Sequence, residues 1–211
     1  MSQPIVHGPS ISTYVRSVRL ALHEKGVEHK LAEVDLLGGA HKQMPYISRQ
    51  PFGKVPAFEH DKNSFYETSA ILRYIDEVFP GPALMPSTPV ARALANQVMS
   101  IVDSYGYTPS VVNLFIPLVL VPSLGGETDM AKVEAGKAPA ALFVKELERL
   151  LDGQTFFGGG SVCLADTHAY PVLVYLRATD EGKAMLEGAP HLRAWMSRML
   201  ERPSVRAIMP S

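Results

Sequence analysis

The first 80 residues alternate between two hydrophobic periods. "PIVHG" is a short apolar run closed by glycine, and "TYVRSVRLALHEKG" then places Val15, Val18 and Leu22 on one helical face, with Gly26 as a C-terminal stop. "HKLAEVDL" returns to strand period through Ala32, Val34 and Leu36. Two β-rich runs, "GKVPAF" and "SFYE", are separated by "EHDKN" and predict a hairpin. "TSAILRYIDEVF" puts Ile71, Ile75, Val78 and Phe79 on one helical face before Pro80-Gly81-Pro82 ends it. The order is β-α-β followed by β-β-α, the content of one small mixed-sheet domain.

After the proline-rich "PGPALMPSTP" every pattern is helical. Leu94, Val98, Ile101, Val102 and Tyr105 form one stripe, and Leu142, Phe143, Leu147, Leu150 and Leu151 form another. "LADTHAYPVLVYL" is apolar nearly all round and predicts a buried central helix, while "HLRAWMSRMLERP" predicts a final amphipathic one. The expected organisation is an α/β domain over 1–80, a linker over 81–90 and an all-helical domain over 91–211.

Composition narrows the function. Twenty basic and 21 acidic residues leave a formal charge of −1, so nothing calls for nucleic acid or an anionic membrane. The most apolar run, Val111 to Val121, is too short to span a bilayer and contains Pro117. The N-terminus has no basic segment leading into an apolar core, so no signal peptide is expected. A single cysteine, Cys163, excludes an intramolecular disulfide and suggests a reducing compartment. The seven histidines show no metal-ligand spacing, and no metal is expected.

Pro56 stands inside an apolar strand, where it removes a ladder donor. A cis Val55-Pro56 bond would turn the Val55 N–H and C=O outward, free to pair with an extended peptide as an added strand. A β-α-β…β-β-α domain with proline before its third strand suggests the thioredoxin-like arrangement. Redox members of that group carry Cys-x-x-Cys at the start of the first helix; here the stretch is "SISTYVR", without cysteine. A thiolate would therefore arrive on a ligand, and a hydroxyl in this stretch could hydrogen-bond it. Ser10, Ser12, Thr13 and Tyr14 all offer one, and a serine here also suits a plain helix N-cap.

The stretches "SISTYVRSVRLALHEKGVEHKLAEVDLLGGAHKQMPYISRQPFGKVPAF" and "YETSAILRYIDE" resemble cytosolic glutathione transferases. "LHEKG", "GGAHK", "PFGKVPAF" and "ETSAI" together look most like the phi class and related bacterial sequences. The resemblance continues more loosely through "CLADTHAYPVLVYL" and "HLRAWMSRMLERPS". It implies an enzyme that joins the glutathione thiolate to an apolar electrophile, and some serine-type relatives also reduce organic hydroperoxides or isomerise substrates with the same thiolate. It also implies a two-fold homodimer in the cytoplasm. By the same resemblance Ser12 faces the glutathione sulfur, and Glu67 and Thr68 hold the γ-glutamyl end. Val55 supplies backbone partners to the cysteinyl unit, and His41 and Lys42 lie at the glycyl carboxylate with Lys54 close by. Ile11, Tyr14, Tyr107 and Phe115 are candidates for the second-substrate pocket. The family's capping box, Ser or Thr three residues before Asp, has its aspartate as Asp166 but Cys163 at the cap.

Overall fold

The computed structural model describes residues 2–209. Its chain divides into two compact units: everything up to Met85 together with the segment from Arg202 onward, and Pro86–Glu201.

The first unit is a four-stranded mixed sheet with helices. Strands β1 (Ile5–His7), β2 (Lys30–Ala32), β3 (Ala57–His60) and β4 (Asn63–Tyr66) lie in the order β2-β1-β3-β4. Helix α1 (Thr13–Glu24) connects β1 to its parallel neighbour β2, and α2 (Thr68–Val78) comes after β4. The thioredoxin-like β-α-β-β-β-α order is as expected. β1 is central, with His7 beside Ala32 on one side and Ala57 on the other, and Ala57 in turn pairs with Tyr66. α1 buries Val15, Val18, Leu20, Ala21 and Leu22, and α2, packed against it, buries Ile71, Leu72 and Ile75. The hairpin turn is tighter than "EHDKN" suggested: Glu59 and His60 pair with Ser64 and Asn63, so the turn is only Asp61-Lys62, with Asp61 at φ 53°.

The C-terminal end of α1 anchors two distant segments of the chain. The buried Lys25 ammonium donates to the carbonyls of Asp76 (2.9 Å) and Pro82 (3.2 Å) and to the Asp76 carboxylate (3.2 Å), which accepts the Leu84 and Met85 N–H groups. The adjacent Glu24 accepts from the Arg202 guanidinium (2.7 and 2.5 Å) and from the Ser204 hydroxyl. These bonds explain why the segment from Arg202, including the short helix α9 (Pro203–Ile208), groups with the sheet, although the helical pattern was expected to run to residue 211.

The second unit contains α3 (Pro89–Ile101), a single turn α4 (Val121–Ser123), α5 (Met130–Leu151), α6 (Leu164–Arg177), α7 (Asp180–Glu187) and α8 (Pro190–Leu200). Between α3 and α4 the chain stays helical, but with i→i+5 bonding over Val102–Gly106 and Thr108–Leu120. Pro109 and Pro117 lie in the longer stretch. A proline lacks an N–H and crowds the carbonyl four residues back, and a widened turn relieves that crowding. The expected stripes are only partly buried. Val98, Val102, Phe143, Leu147 and Leu151 are inside, whereas Leu94, Tyr105 and Leu142 are exposed and Ala95, Met99 and Val144 take part instead. Leu150 is half-buried.

α6 is the buried helix, inaccessible from Leu164 to Leu173. Asp166, in its first turn, is 0% exposed, and its carboxylate gathers three donors. The Phe157 N–H (2.9 Å) and the Trp195 indole N–H (2.7 Å) reach one oxygen, and the Cys163 N–H (2.7 Å) reaches the other. The aspartate thus supplies the strong half of a capping box whose cap is a cysteine. Burial raises the Asp166 carboxyl above the usual range, against the pull of those donors.

Asp166→Ala strands two backbone N–H groups and an indole N–H in the core, so stability should fall by about 3 kcal/mol or more, visible as a lowered melting midpoint; a shift of a degree or two would remove Asp166 from this role. His29 is held as the neutral imidazole, because Arg19 Nε donates to its Nε2 (3.3 Å) and its Nδ1 faces the Val27 carbonyl (3.3 Å). Burial depresses its pKa to about 4 from 6.5, opposed by the Val27 contact. The unfolded chain therefore binds the extra proton between those values, so His29 makes stability fall as pH drops from 6.5 toward 4. His29→Gln should flatten that slope by up to about one proton, measured by chemical unfolding at several pH values; an unaltered slope would contradict it.

Candidate active site

Strand register assembles one edge of the first unit. β1 ends at His7, β3 begins at Ala57 opposite it, and β4 ends at Tyr66 opposite Ala57. The segments after β1, before β3 and after β4 therefore emerge together: Gly8–Ser12, Lys54–Pro56 and Glu67–Thr68. Residue 8 lies against α1 and Val55. A Cβ there would lie 2.5 Å from Val15 Cγ2 and 3.1 Å from Val55 Cβ, and φ is +148°, so only glycine fits.

Ser12 is the N-cap of α1. Its Oγ accepts from the Val15 N–H at 3.5 Å, the long limit of a hydrogen bond. The loop is fixed by its backbone instead: the Ser12 N–H donates to the Pro9 carbonyl (3.0 Å), the Ser10 N–H to the Glu33 carboxylate (3.2 and 3.3 Å), and Arg16 Nε to the Ser10 carbonyl (3.0 Å). Thr13 is buried and Tyr14 half-buried, while Ile11 is 56% exposed.

The Val55-Pro56 peptide is cis, as is Met44-Pro45. Val55 is half-buried, and among the described residues neither its N–H nor its C=O has a hydrogen-bond partner. The preceding segment is tightly held. The buried Gln50 side-chain oxygen accepts from the N–H groups of Phe52 (2.8 Å) and Lys54 (3.2 Å), and the Tyr46 hydroxyl donates to the Lys54 carbonyl (2.6 Å). Neither Gln50 nor Tyr46 stands out in the sequence.

At the start of α2, Glu67 occupies the cap at φ 66°, ψ 112° with no side-chain cap bond. Positive φ is uncommon for a residue with a Cβ, and such conformations concentrate at functional sites. The glutamate is exposed and Thr68 is 8% exposed, so uncapped helix N–H groups and a carboxylate stand side by side. His41 and Lys42 form a short turn against Gly53, where a Cβ would lie 3.4 Å from both the His41 carbonyl and Lys42 Cγ. Lys42 and Lys54 are exposed, and the buried His41 Nδ1 has no partner among the described residues.

Tyr107, between the two widened stretches, and Phe115, on the longer one, belong to the second unit, and both are half-buried. The Phe115 ring stacks on Tyr175, with centroids 4.0 Å apart and planes 16° apart. Burial, then the neighbouring Tyr175, pushes the Tyr107 phenol above its usual value. Among the described residues no single helix is long and apolar enough to cross a membrane.

A helix-capping serine, the open backbone groups of Val55 and an uncapped helix start thus share one edge of a thioredoxin-like domain. Comparison with known proteins makes this specific. The glutathione S-transferase N-terminal domain model matches residues 6–83, and the C-terminal domain model matches residues 107–203. The chain is 34% identical over 207 residues to glutathione S-transferase F6 of Arabidopsis thaliana, covering 97% of this chain and 98% of that relative. It is 33% identical to a glutathione S-transferase of Hyoscyamus muticus, covering 94% of each. Among solved structures, glutathione transferase F7 of Populus trichocarpa superposes with a TM-score of 0.85 at 27% identity over 97% of both chains. The chain therefore belongs to the glutathione S-transferase family, and its relatives include plant F-type, phi-class members. It is a transferase, in a family that uses glutathione as co-substrate.

Proposed function

We propose that this transferase joins the thiolate of glutathione, stabilised by the Ser12 hydroxyl, to an apolar electrophile. The observation that carries the reading is the shared edge at the end of β1, where Ser12, the open Val55 backbone and the uncapped start of α2 emerge side by side. Glutathione lies along that edge as a short added strand, pairing its cysteinyl unit with the Val55 N–H and C=O. Its γ-glutamyl carboxylate meets the α2 N–H groups and Thr68, and its ammonium meets Glu67. Its glycyl carboxylate lies toward His41, Lys42 and Lys54, where the unpartnered His41 Nδ1 gains a partner. A glutathione S-transferase I solved with lactoylglutathione bound superposes on this chain with a TM-score of 0.84 at 25% identity over 98% of both chains, which supports the placement.

The sulfur then falls beside Ser12. Lowering a thiol pKa by about two units requires roughly 2.7 kcal/mol of preference for the anion. One charge-assisted hydrogen bond and the N-terminal dipole of α1 together supply this order of energy. The weak bond from Val15 leaves the Ser12 oxygen lightly engaged and its hydrogen able to donate. The thiolate attacks the electrophilic carbon, and the leaving group departs with the bonding electrons. Ile11 and Tyr14 are the first unit's candidates to face the apolar acceptor. A homodimer in the cytoplasm completes the reading; the lone buried Cys163 suits a reducing compartment.

Ser12→Ala should lower turnover with a generic aryl halide more than tenfold while glutathione affinity, followed by calorimetry, changes little. Unaltered turnover would transfer the role to Ser10 or Tyr14, and glutathione binding without turnover in the parent protein would indicate a ligand-carrying module. Glu67→Ala should weaken glutathione at least tenfold, about 1.4 kcal/mol, through loss of a charge-assisted contact. Equal affinities would remove Glu67 from the site.

A further inference from the structure

The Tyr46 hydroxyl donates to the carbonyl of Lys54 across eight residues at 2.6 Å. That carbonyl and the Val55 N–H belong to one peptide unit, and this unit is trans, because the cis bonds among the described residues are Met44-Pro45 and Val55-Pro56. In a trans peptide the C=O and N–H point in opposite directions within one plane. Drawing the Lys54 carbonyl inward to Tyr46 therefore turns the Val55 N–H outward. We propose that Tyr46 is a positioning residue for thiol-peptide binding, setting the direction of the Val55 N–H through the Lys54 carbonyl. The inference rests on the placement of glutathione along this edge.

Three further features of this chain fit the role. Tyr46 is 6% exposed and packs with Val34 and Ala57, with Val55 against the same cluster, so the ring has little room to move. Gln50 holds the N–H of Lys54 at 3.2 Å, which fixes the plane on the other side of the same residue. Burial pushes the Tyr46 phenol up to about 12, against the pull of the Ala57 backbone and the Arg49 guanidinium, so the hydroxyl keeps its proton throughout the neutral range. A hydrogen bond accepted by a carbonyl also polarises its own peptide unit, strengthening the N–H at the other end as a donor. Tyr46 thus acts on affinity, and Ser12 on the ionisation of the sulfur.

The test pairs one isosteric variant with two ligands. Glutathione carries a cysteinyl carbonyl for the Val55 N–H to bond, whereas γ-glutamylcysteamine keeps the γ-glutamyl end and the thiol but has no such carbonyl. Tyr46→Phe should weaken glutathione three- to tenfold by calorimetric titration, weaken γ-glutamylcysteamine less than twofold, and leave the pH at which bound glutathione ionises unchanged. Equal losses for both ligands would mean that the variant merely loosens the segment, and unchanged glutathione affinity would mean that the peptide plane is fixed without Tyr46; either overturns the inference. Parent protein that binds neither thiol would overturn the proposed function itself, and this inference with it.

Discussion

The double pairing of β1 is the constraint on which the site depends. His7 is held between Ala32 and Ala57, so the chain that leaves β1 must emerge beside the chain that enters β3. A slip of one residue in either ladder would turn the apolar face of the strand to the wrong side of the sheet. Burial of Val6 and Phe58, partners in the β1–β3 register, fixes it. The hydrophobic core of the first unit and the geometry of its chemical edge are thus one constraint.

Polar groups around that edge are arranged to leave particular backbone atoms unsatisfied. Gln50 and Tyr46 satisfy the N–H and C=O of Lys54, and the next residue, Val55, has no partner for either of its own groups among the described residues. α1 and α3 begin with caps whose side chains accept a backbone N–H, Ser12 and Thr88, whereas α2 begins with Glu67, which does not. Open backbone groups cost free energy when buried unpaired. Here they gather at one exposed edge, the arrangement expected of a surface that completes its hydrogen bonding with a ligand.

Much of this was legible in the sequence because it depends on local rules. Pro56 inside "GKVPAF" announced an unusual backbone, and the switch from strand to helix period before and after "YETS" placed Glu67 and Thr68 at a helix start. What escaped depends on contacts distant in sequence. Tyr46 lies in "QMPYISRQ", which has no period, and its role is defined by a carbonyl eight residues on. Lys25 and Glu24 read as the polar end of a helix, yet they anchor residues 76 to 85 and 202 to 204. Tyr105 falls on the stripe of Val98 and Val102 only if ordinary helix period continues; the turns there are widened, and Tyr105 is exposed.

The central claim is that the start of α1 stabilises a bound thiolate, and the ionisation of glutathione in the complex with unaltered protein tests it most directly. The ultraviolet absorbance of the thiolate, followed against pH with the protein saturated, should show half-ionisation about two units below the ordinary thiol value of about 8.5. Glutathione that binds tightly but ionises at its ordinary value would contradict the account.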